Sequence, residues 1–121
     1  MNIKTVAPGF SVSPQIFTGD IVALKAKGFR TILCNRPDHE DSGQPDFADI
    51  AAAAAAAGLE ARHIPVRPDA INPADVAAFG RAIDELPGPV LGYCRSGGRS
   101  AALWSKARTG GLTPGLGSRS R

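Results

Sequence analysis

The sequence predicts a compact three-layer α/β domain on a mainly parallel sheet of four or five strands. Three observations predict it. Segments rich in β-branched and apolar residues alternate with segments of helical periodicity, the pattern of βαβ units whose sheet is covered on both faces. The chain has 121 residues, 43% of them hydrophobic, which suits one core in one domain. The apolar run Pro89-Val90-Leu91-Gly92-Tyr93 passes through Cys94-Arg95-Ser96-Gly97-Gly98-Arg99-Ser100 straight into Ala101-Ala102-Leu103-Trp104. That order reads as strand, tight glycine loop and helix N-terminus.

The elements follow in order. Val12–Ile16 reads as a short opening strand or hairpin arm. Thr18 is placed as the N-cap of a helix over Gly19–Lys27, with Ile21 and Leu24 on one face and Gly28 ending it. Phe29–Cys34 is a β-branched run that predicts a buried strand, followed by Asn35-Arg36-Pro37-Asp38 and a polar loop from His39 to Gln44. Pro45 suits the first turn of a second helix, which Phe47, Ile50 and the alanines 51–57 carry to Gly58. Glu60–Val66 alternates as a strand, and Arg67–Ile71 is a loop. Asn72 caps a third helix, with Pro73 at its first position and Asp75 in its first turn; Val76, Phe79, Ile83 and Leu86 face the core. Pro87-Gly88-Pro89 stops that helix before the strand ending at Tyr93. The predicted domain covers residues 1–109, and glycine, proline and serine make residues 110–121 an expected flexible tail. Because ligands of parallel sheets bind at the carboxyl ends of the strands, the Cys94, Asn35–Asp38 and Arg67–Ile71 loops are expected on one rim.

Composition excludes several classes. A net charge of +3 favours anionic ligands weakly. No Lys/Arg cluster runs through the body of the chain and no aromatic residues interleave with basic ones, so nucleic acid is not an expected partner. Cys34 and Cys94 are too few for a disulfide framework, and the separated cysteines and histidines give no metal-ligand spacing. No metal and no cofactor are expected. Met1–Pro8 lacks an apolar signal core, and no stretch approaches the roughly 20 apolar residues of a membrane span. A reduced, cytoplasmic compartment without membrane attachment is the expectation.

Cys94 carries the chemistry. Backbone N–H groups of a tight loop and the positive end of a helix both favour a thiolate, which is the nucleophilic form. Arg99 offers a planar donor fork for an oxyanion, while Arg95, Ser96, Gly97, Gly98 and Ser100 complete a cradle for a small tetrahedral anion. Arg36 is expected either to reach that anion or to tie its loop to a carboxylate. Asp38 reads as a turn former and His39 as solvated; Cys34 reads as a buried strand residue, or as a resolving thiol for Cys94. His63 reads as a satisfied structural histidine, and Phe47, Phe79 and Trp104 as core.

The stretches Asn35–Asp38, Gln44-Pro45, His63-Ile64-Pro65-Val66 and Tyr93–Ser100, in that order and spacing, resemble the phosphatase-like domain of the beta-lactamase-hydrolase-like proteins, often labelled sulfur transferases. The resemblance spans about residues 10–107. It implies a fold similar to the cysteine-dependent dual-specificity phosphatases and a history near sulfide metabolism. The helical segments that close such domains are not recognisable after Ala107. The phosphatase loop places one residue more between cysteine and arginine than the four here, Arg95 to Gly98; this shorter count is similar to a rhodanese loop. The first expectation is therefore a sulfurtransferase. Cys94 takes the outer sulfur of thiosulfate or a persulfide, and a thiol acceptor or cyanide removes it without a general acid. The alternative is a phosphatase acting through a Cys94 phosphoenzyme. In that case Arg99 holds the phosphate, Asp69 is the acid by its place in the loop after Val66, and Ser100 hydrogen-bonds the Cys94 sulfur; Asp69 as a plain turn residue competes with that role. A non-catalytic anion-binding module is the third reading. All three share a small anionic sulfur or phosphate compound as partner.

Overall fold

Short strands alternate with helices along residues 1–109, the part of the chain that the computed structural model describes. In chain order they are β1 (Lys4–Ala7), β2 (Phe10–Ser13), a 3-10 turn (Thr18–Asp20), α1 (Ile21–Ala26), β3 (Thr31–Cys34), α2 (Phe47–Ala56), β4 (Glu60–His63), α3 (Pro73–Glu85), β5 (Val90–Tyr93) and α4 (Gly98–Thr109). The five strands form one sheet in the order β1-β2-β5-β3-β4. All neighbouring pairs are parallel except β1 with β2, so the predicted class holds. The expected tail, residues 110–121, lies outside the described residues.

The pleat sorts side chains into two layers. Ile32, Cys34, Leu91 and Tyr93 point to one face and pack with Ile21 and Leu24 of α1 and Ile50 and Ala54 of α2. Leu33, Val90, Phe10 and Val12 point to the other and pack with Phe79 and Ala82 of α3 and Leu103 of α4. Val76, Ile83 and Leu86 are partly buried against this second cluster. Trp104 is half-buried, its ring stacked on Phe10 at 4.5 Å.

Several boundaries differ from expectation. β1 was not foreseen, because an exposed edge strand shows no apolar alternation. The opening strand is Phe10–Ser13 rather than Val12–Ile16, since it pairs along Val90–Tyr93 and Pro14 ends it. Thr18 is not an N-cap: it opens the 3-10 turn, and Asp20 reaches back to accept from the Phe17 N–H at 2.8 Å. Pro45 precedes α2 instead of opening it, and the Phe47 N–H is capped by Asp38 at 2.8 Å. Asp38 is thus a helix cap supplied by a loop. β4 stops at His63 and β3 begins at Thr31, because only these residues lie in register with each other. Asn72 caps α3 as predicted, accepting from the Asp75 N–H at 2.9 Å while Asp75 accepts from Asn72.

Gly92 decides how closely α4 sits on the sheet. A Cβ there would lie 3.0 Å from the Phe10 ring and 3.4 Å from Ser100 Cβ. Glycine is needed for this approach, and Ser100 in the first turn of α4 is fully buried as a result. Gly92→Ala is expected to destabilise the domain by about 1–3 kcal/mol through overpacking. Gly43→Ala, where a Cβ would meet nothing within 4 Å, serves as the neutral control. Urea midpoints of both variants check this.

Candidate active site

β5 lies between β2 and β3, so the loop leaving its carboxyl end has protein on both sides. Cys94 is the first residue of that loop and is 1% exposed. The chain turns at Gly97, which has φ of +96° and whose Cβ would lie 3.3 Å from the Ser13 backbone; no other residue suits both conditions. This turn aims the Gly97 N–H at the Cys94 sulfur, 3.1 Å away. Ser96 Oγ accepts from the Gly98 N–H at 3.2 Å. The helix begins at Gly98 rather than Ala101, so Arg99 and Ser100 belong to its first turn. Cys94 forms the floor of a concavity of about 400 Å³. Arg95, Ser96, Gly98 and Arg99 rim it, and Pro68, Ile71 and Ala102 wall it.

Arg99 is held from one side only. Its Nη1 donates to Val66 O at 3.0 Å, Glu40 Oε2 at 3.1 Å and Asn35 O at 3.4 Å, and its Nη2 donates to Glu40 Oε1 at 3.2 Å. The side chain is 6% exposed. Its Nε–H is buried without any partner among the described residues. A buried cationic donor left open is costly unless a ligand completes it.

Glu40 ties Arg99 to a second arginine. Arg36 donates from Nε to Glu40 at 2.9 Å, from Nη1 to Gln15 Oε1 at 2.8 Å, and from Nη2 to Asp41. Its side chain is 3% exposed. Arg36 therefore ties its loop to carboxylates, the second of the two readings, with an acceptor on each of its three nitrogens, and it is not among the residues lining the Cys94 concavity. Asp41 also meets Arg95 at 3.4 Å. His39, at φ 67°, reverses the chain so that Glu40 and Asp41 return toward Arg36. Burial works against a charged Glu40, but hydrogen bonds and charge from Arg36 and Arg99 outweigh it and hold its carboxyl below the ordinary range. Burial likewise opposes the Arg36 charge, and Glu40 and Asp41 reverse that, so the guanidinium holds its proton more firmly than usual.

The remaining candidates sort by position. Asp69 is exposed, 3.8 Å from Arg67 Nε, and does not line the concavity although its loop neighbours Pro68 and Ile71 do. The Ser100 hydroxyl donates to Asn35 Oδ1 at 2.9 Å rather than to the Cys94 sulfur. The Cys34 thiol is pushed up by burial, against hydrogen bonds from Tyr93 and the Arg36 N–H. Burial and the neighbouring Cys34 raise Tyr93 in turn. His63 stacks on Phe47 at 4.6 Å and donates from Nε2 to Arg36 O at 2.8 Å, a structural role that fixes its tautomer. Among the described residues no group of three or more His, Cys, Asp and Glu is placed to hold a metal, and no helix is long and apolar enough to cross a membrane.

Sequence reasoning missed Glu40, Asp41 and Gln15. The polar loop holding the two acids reads as solvated surface. The available signal was a basic residue followed by an acid at the fourth position, Arg36 to Glu40.

The family described as "Beta-lactamase hydrolase-like protein, phosphatase-like domain" matches residues 2–111. A beta-lactamase hydrolase-like protein of Agrobacterium fabrum is 37% identical over 94 residues, 78% of this chain and 22% of its own. One from Xylella fastidiosa is 36% identical over 105 residues, 87% of this chain and 24% of its own. The chain thus spans less than a quarter of the length of the curated relatives it matches. Among solved structures, a candidate phosphatase of Neisseria meningitidis superposes with a TM-score of 0.85 at 37% identity, covering 94% of this chain and 81% of that one.

Glu40→Gln tests the shared acid. Glu40 is depressed from its ordinary 4.5, so its contribution to stability is complete above that value and is lost as pH falls through the lower folded value. The variant is expected to unfold at lower urea than the native protein at neutral pH, and the gap to narrow below pH 4.5. Urea titrations across that range measure it.

Proposed function

The chain belongs to the family of phosphatase-like domains of beta-lactamase hydrolase-like proteins, and from that premise we propose that it is a cysteine-dependent phosphatase acting on small phosphomonoesters. The observation that carries the proposal is the cleft with Cys94 at its floor, the guanidiniums of Arg95 and Arg99 in its lining, and a buried Arg99 Nε–H that has no acceptor among the described residues. The Nη1–Nη2 edge of the Arg99 guanidinium is held by Glu40, and a turn of the side chain brings its buried Nε edge to the phosphoryl oxygens. The Cys94 thiolate attacks phosphorus, the S–P bond forms and the P–O bond to the leaving group breaks. The leaving oxygen takes a proton. Water then attacks phosphorus, releasing inorganic phosphate and regenerating the thiolate. The loop amides and Arg99 meet the charge that develops on the equatorial oxygens. Asp69 serves as the acid when its loop, which already supplies Pro68 and Ile71 to the wall, turns the carboxylate inward. Aryl phosphates need that proton least, so Asp69→Asn is expected to slow alkyl phosphates more than aryl ones.

Two observations favour sulfur transfer as the second reading. The spacing of four residues between Cys94 and Arg99 makes a tighter loop, and no carboxylate lines the cleft among the described residues. Sulfite or a low-pKa thiolate leaves without an acid.

Parallel assays separate the two. Native protein is expected to hydrolyse an aryl phosphate with competitive inhibition by vanadate, and Cys94→Ser to lose on the order of 10³-fold or more. Arg99→Lys keeps the charge but not the fork, and is expected to lower kcat/KM about 100-fold. Thiosulfate–cyanide turnover in the absence of phosphatase activity replaces the first reading with the second. Phosphatase activity unchanged in Cys94→Ser overturns the proposal.

A further inference from the structure

The Cys94 concavity has a neighbour on the other side of its apolar wall. Ile71 lines it and also lines a second concavity of about 530 Å³, between the first turns of α3 and the last turns of α4. Gly98 and Ala102 of α4 face the first space, and Lys106 faces the second. These residues follow each other at intervals of four and so share one stripe of the helix. Pro73, Val76 and Ala77 of α3 form the opposite wall. The two concavities adjoin at Ile71 and follow the same stripe of α4, and a ligand that crosses Ile71 occupies both as one trough. The thiol and Arg99 are at one end, Ile71, Ala102 and Val76 make an apolar middle, and Lys106 stands at the far end. At the helical rise, Gly98 and Lys106 are separated by roughly 12 Å along the axis. Both spaces are of the size that small-molecule sites occupy, about 300–1,000 Å³.

The charge in the trough has one sign. Among the described residues neither lining set contains a carboxylate. Asp75, in the first turn of α3, is turned to the Asn72 N–H at 3.2 Å. A lysine in a last turn ordinarily complements the helix dipole, and α4 has two cations there, Lys106 and Arg108. Arg108 lies over the Trp104 ring at 4.6 Å, whereas Lys106 is the one that lines the trough.

The geometry points to a substrate with two anionic ends: a phosphomonoester whose leaving group is an apolar chain bearing a second phosphate or carboxylate roughly 12 Å away. This inference rests on the phosphoryl reading of the Cys94 site and names its leaving group. The ester phosphate sits over Cys94 and Arg99, the chain lies against Ile71, Ala102 and Val76, and the distal anion meets Lys106.

Calorimetric titration of the Cys94→Ser protein, which cannot turn the ligands over, tests this with three probes: inorganic phosphate, octyl phosphate, and the octane chain carrying a phosphate at each end. Octyl phosphate is expected to bind at least about ten-fold tighter than inorganic phosphate through the apolar middle. Beyond the two-fold statistical advantage of its two identical heads, the two-headed probe is expected to gain a further two- to five-fold, roughly what an exposed ion pair supplies. Adding Lys106→Ala is expected to erase that last gain and leave octyl phosphate unchanged. A two-headed probe that gains no more than its statistical two-fold over octyl phosphate, or a larger advantage that survives Lys106→Ala, overturns the inference. So does equal binding of octyl and inorganic phosphate, which leaves the Cys94 anion site standing. No binding of any probe overturns both the trough and the phosphoryl reading.

Discussion

Burying the Arg36 guanidinium is the constraint on which the rest of the site depends. A cation taken out of water must be met by charge and by hydrogen-bond acceptors, or folding does not proceed. Here three acceptors come from two segments: Glu40 and Asp41 from its own loop and Gln15 from the segment after β2. The same two carboxylates then reach across to the Cys94 loop, Glu40 to Arg99 and Asp41 to Arg95. Two acids thus serve three arginines. The polar loop between β3 and α2 is fixed as part of the rim, and with it the direction in which Arg99 points.

The sheet order explains why Cys94 sits where these arms meet. β5 is flanked by β2 and β3 in parallel register, so the ends of all three strands lie at one level. From β2 come the Ser13 backbone, against which Gly97 turns, and the Gln15 N–H, which donates to Arg95 O at 3.4 Å. From β3 come Asn35, whose amide oxygen takes the Ser100 hydroxyl, and Arg36. A nucleophile on an edge strand would have only one such neighbour. The fold places the site at the carboxyl ends of its central strands, as open parallel sheets do.

Arg99 ties the Cys94 loop to the ends of β3 and β4. Its Nη1 is shared among Glu40 and two carbonyls and its Nη2 gives one N–H to Glu40, while Nε–H has no acceptor among the described residues. A lysine cannot divide its donors in this way, because it has no fixed fork. The Gly97 N–H is likewise directed at the Cys94 sulfur by the fold itself.

The sequence by itself determined the alternation of strands and helices, the Asn72 cap, the glycine and proline stops and the strand–loop–helix carrying Cys94. Each of these is written in residues close together in the chain, through propensity, capping and periodicity. It also led to the family, because the Cys94 loop is contiguous. β1 left no such trace, since an exposed edge strand buries too little to show alternation. Nor did Glu40 and Asp41, whose meaning comes from partners far along the chain: Glu40 and Arg99 are 59 residues apart, and Arg36 and Gln15 are 21 apart. Asp69 and Arg36 are near the right loops in sequence, yet one faces solvent and the other is locked beneath the rim. Only the tertiary structure decided these, because the direction of a long polar side chain is set by whichever charge the packed sheet brings within reach, and local sequence does not encode that distance.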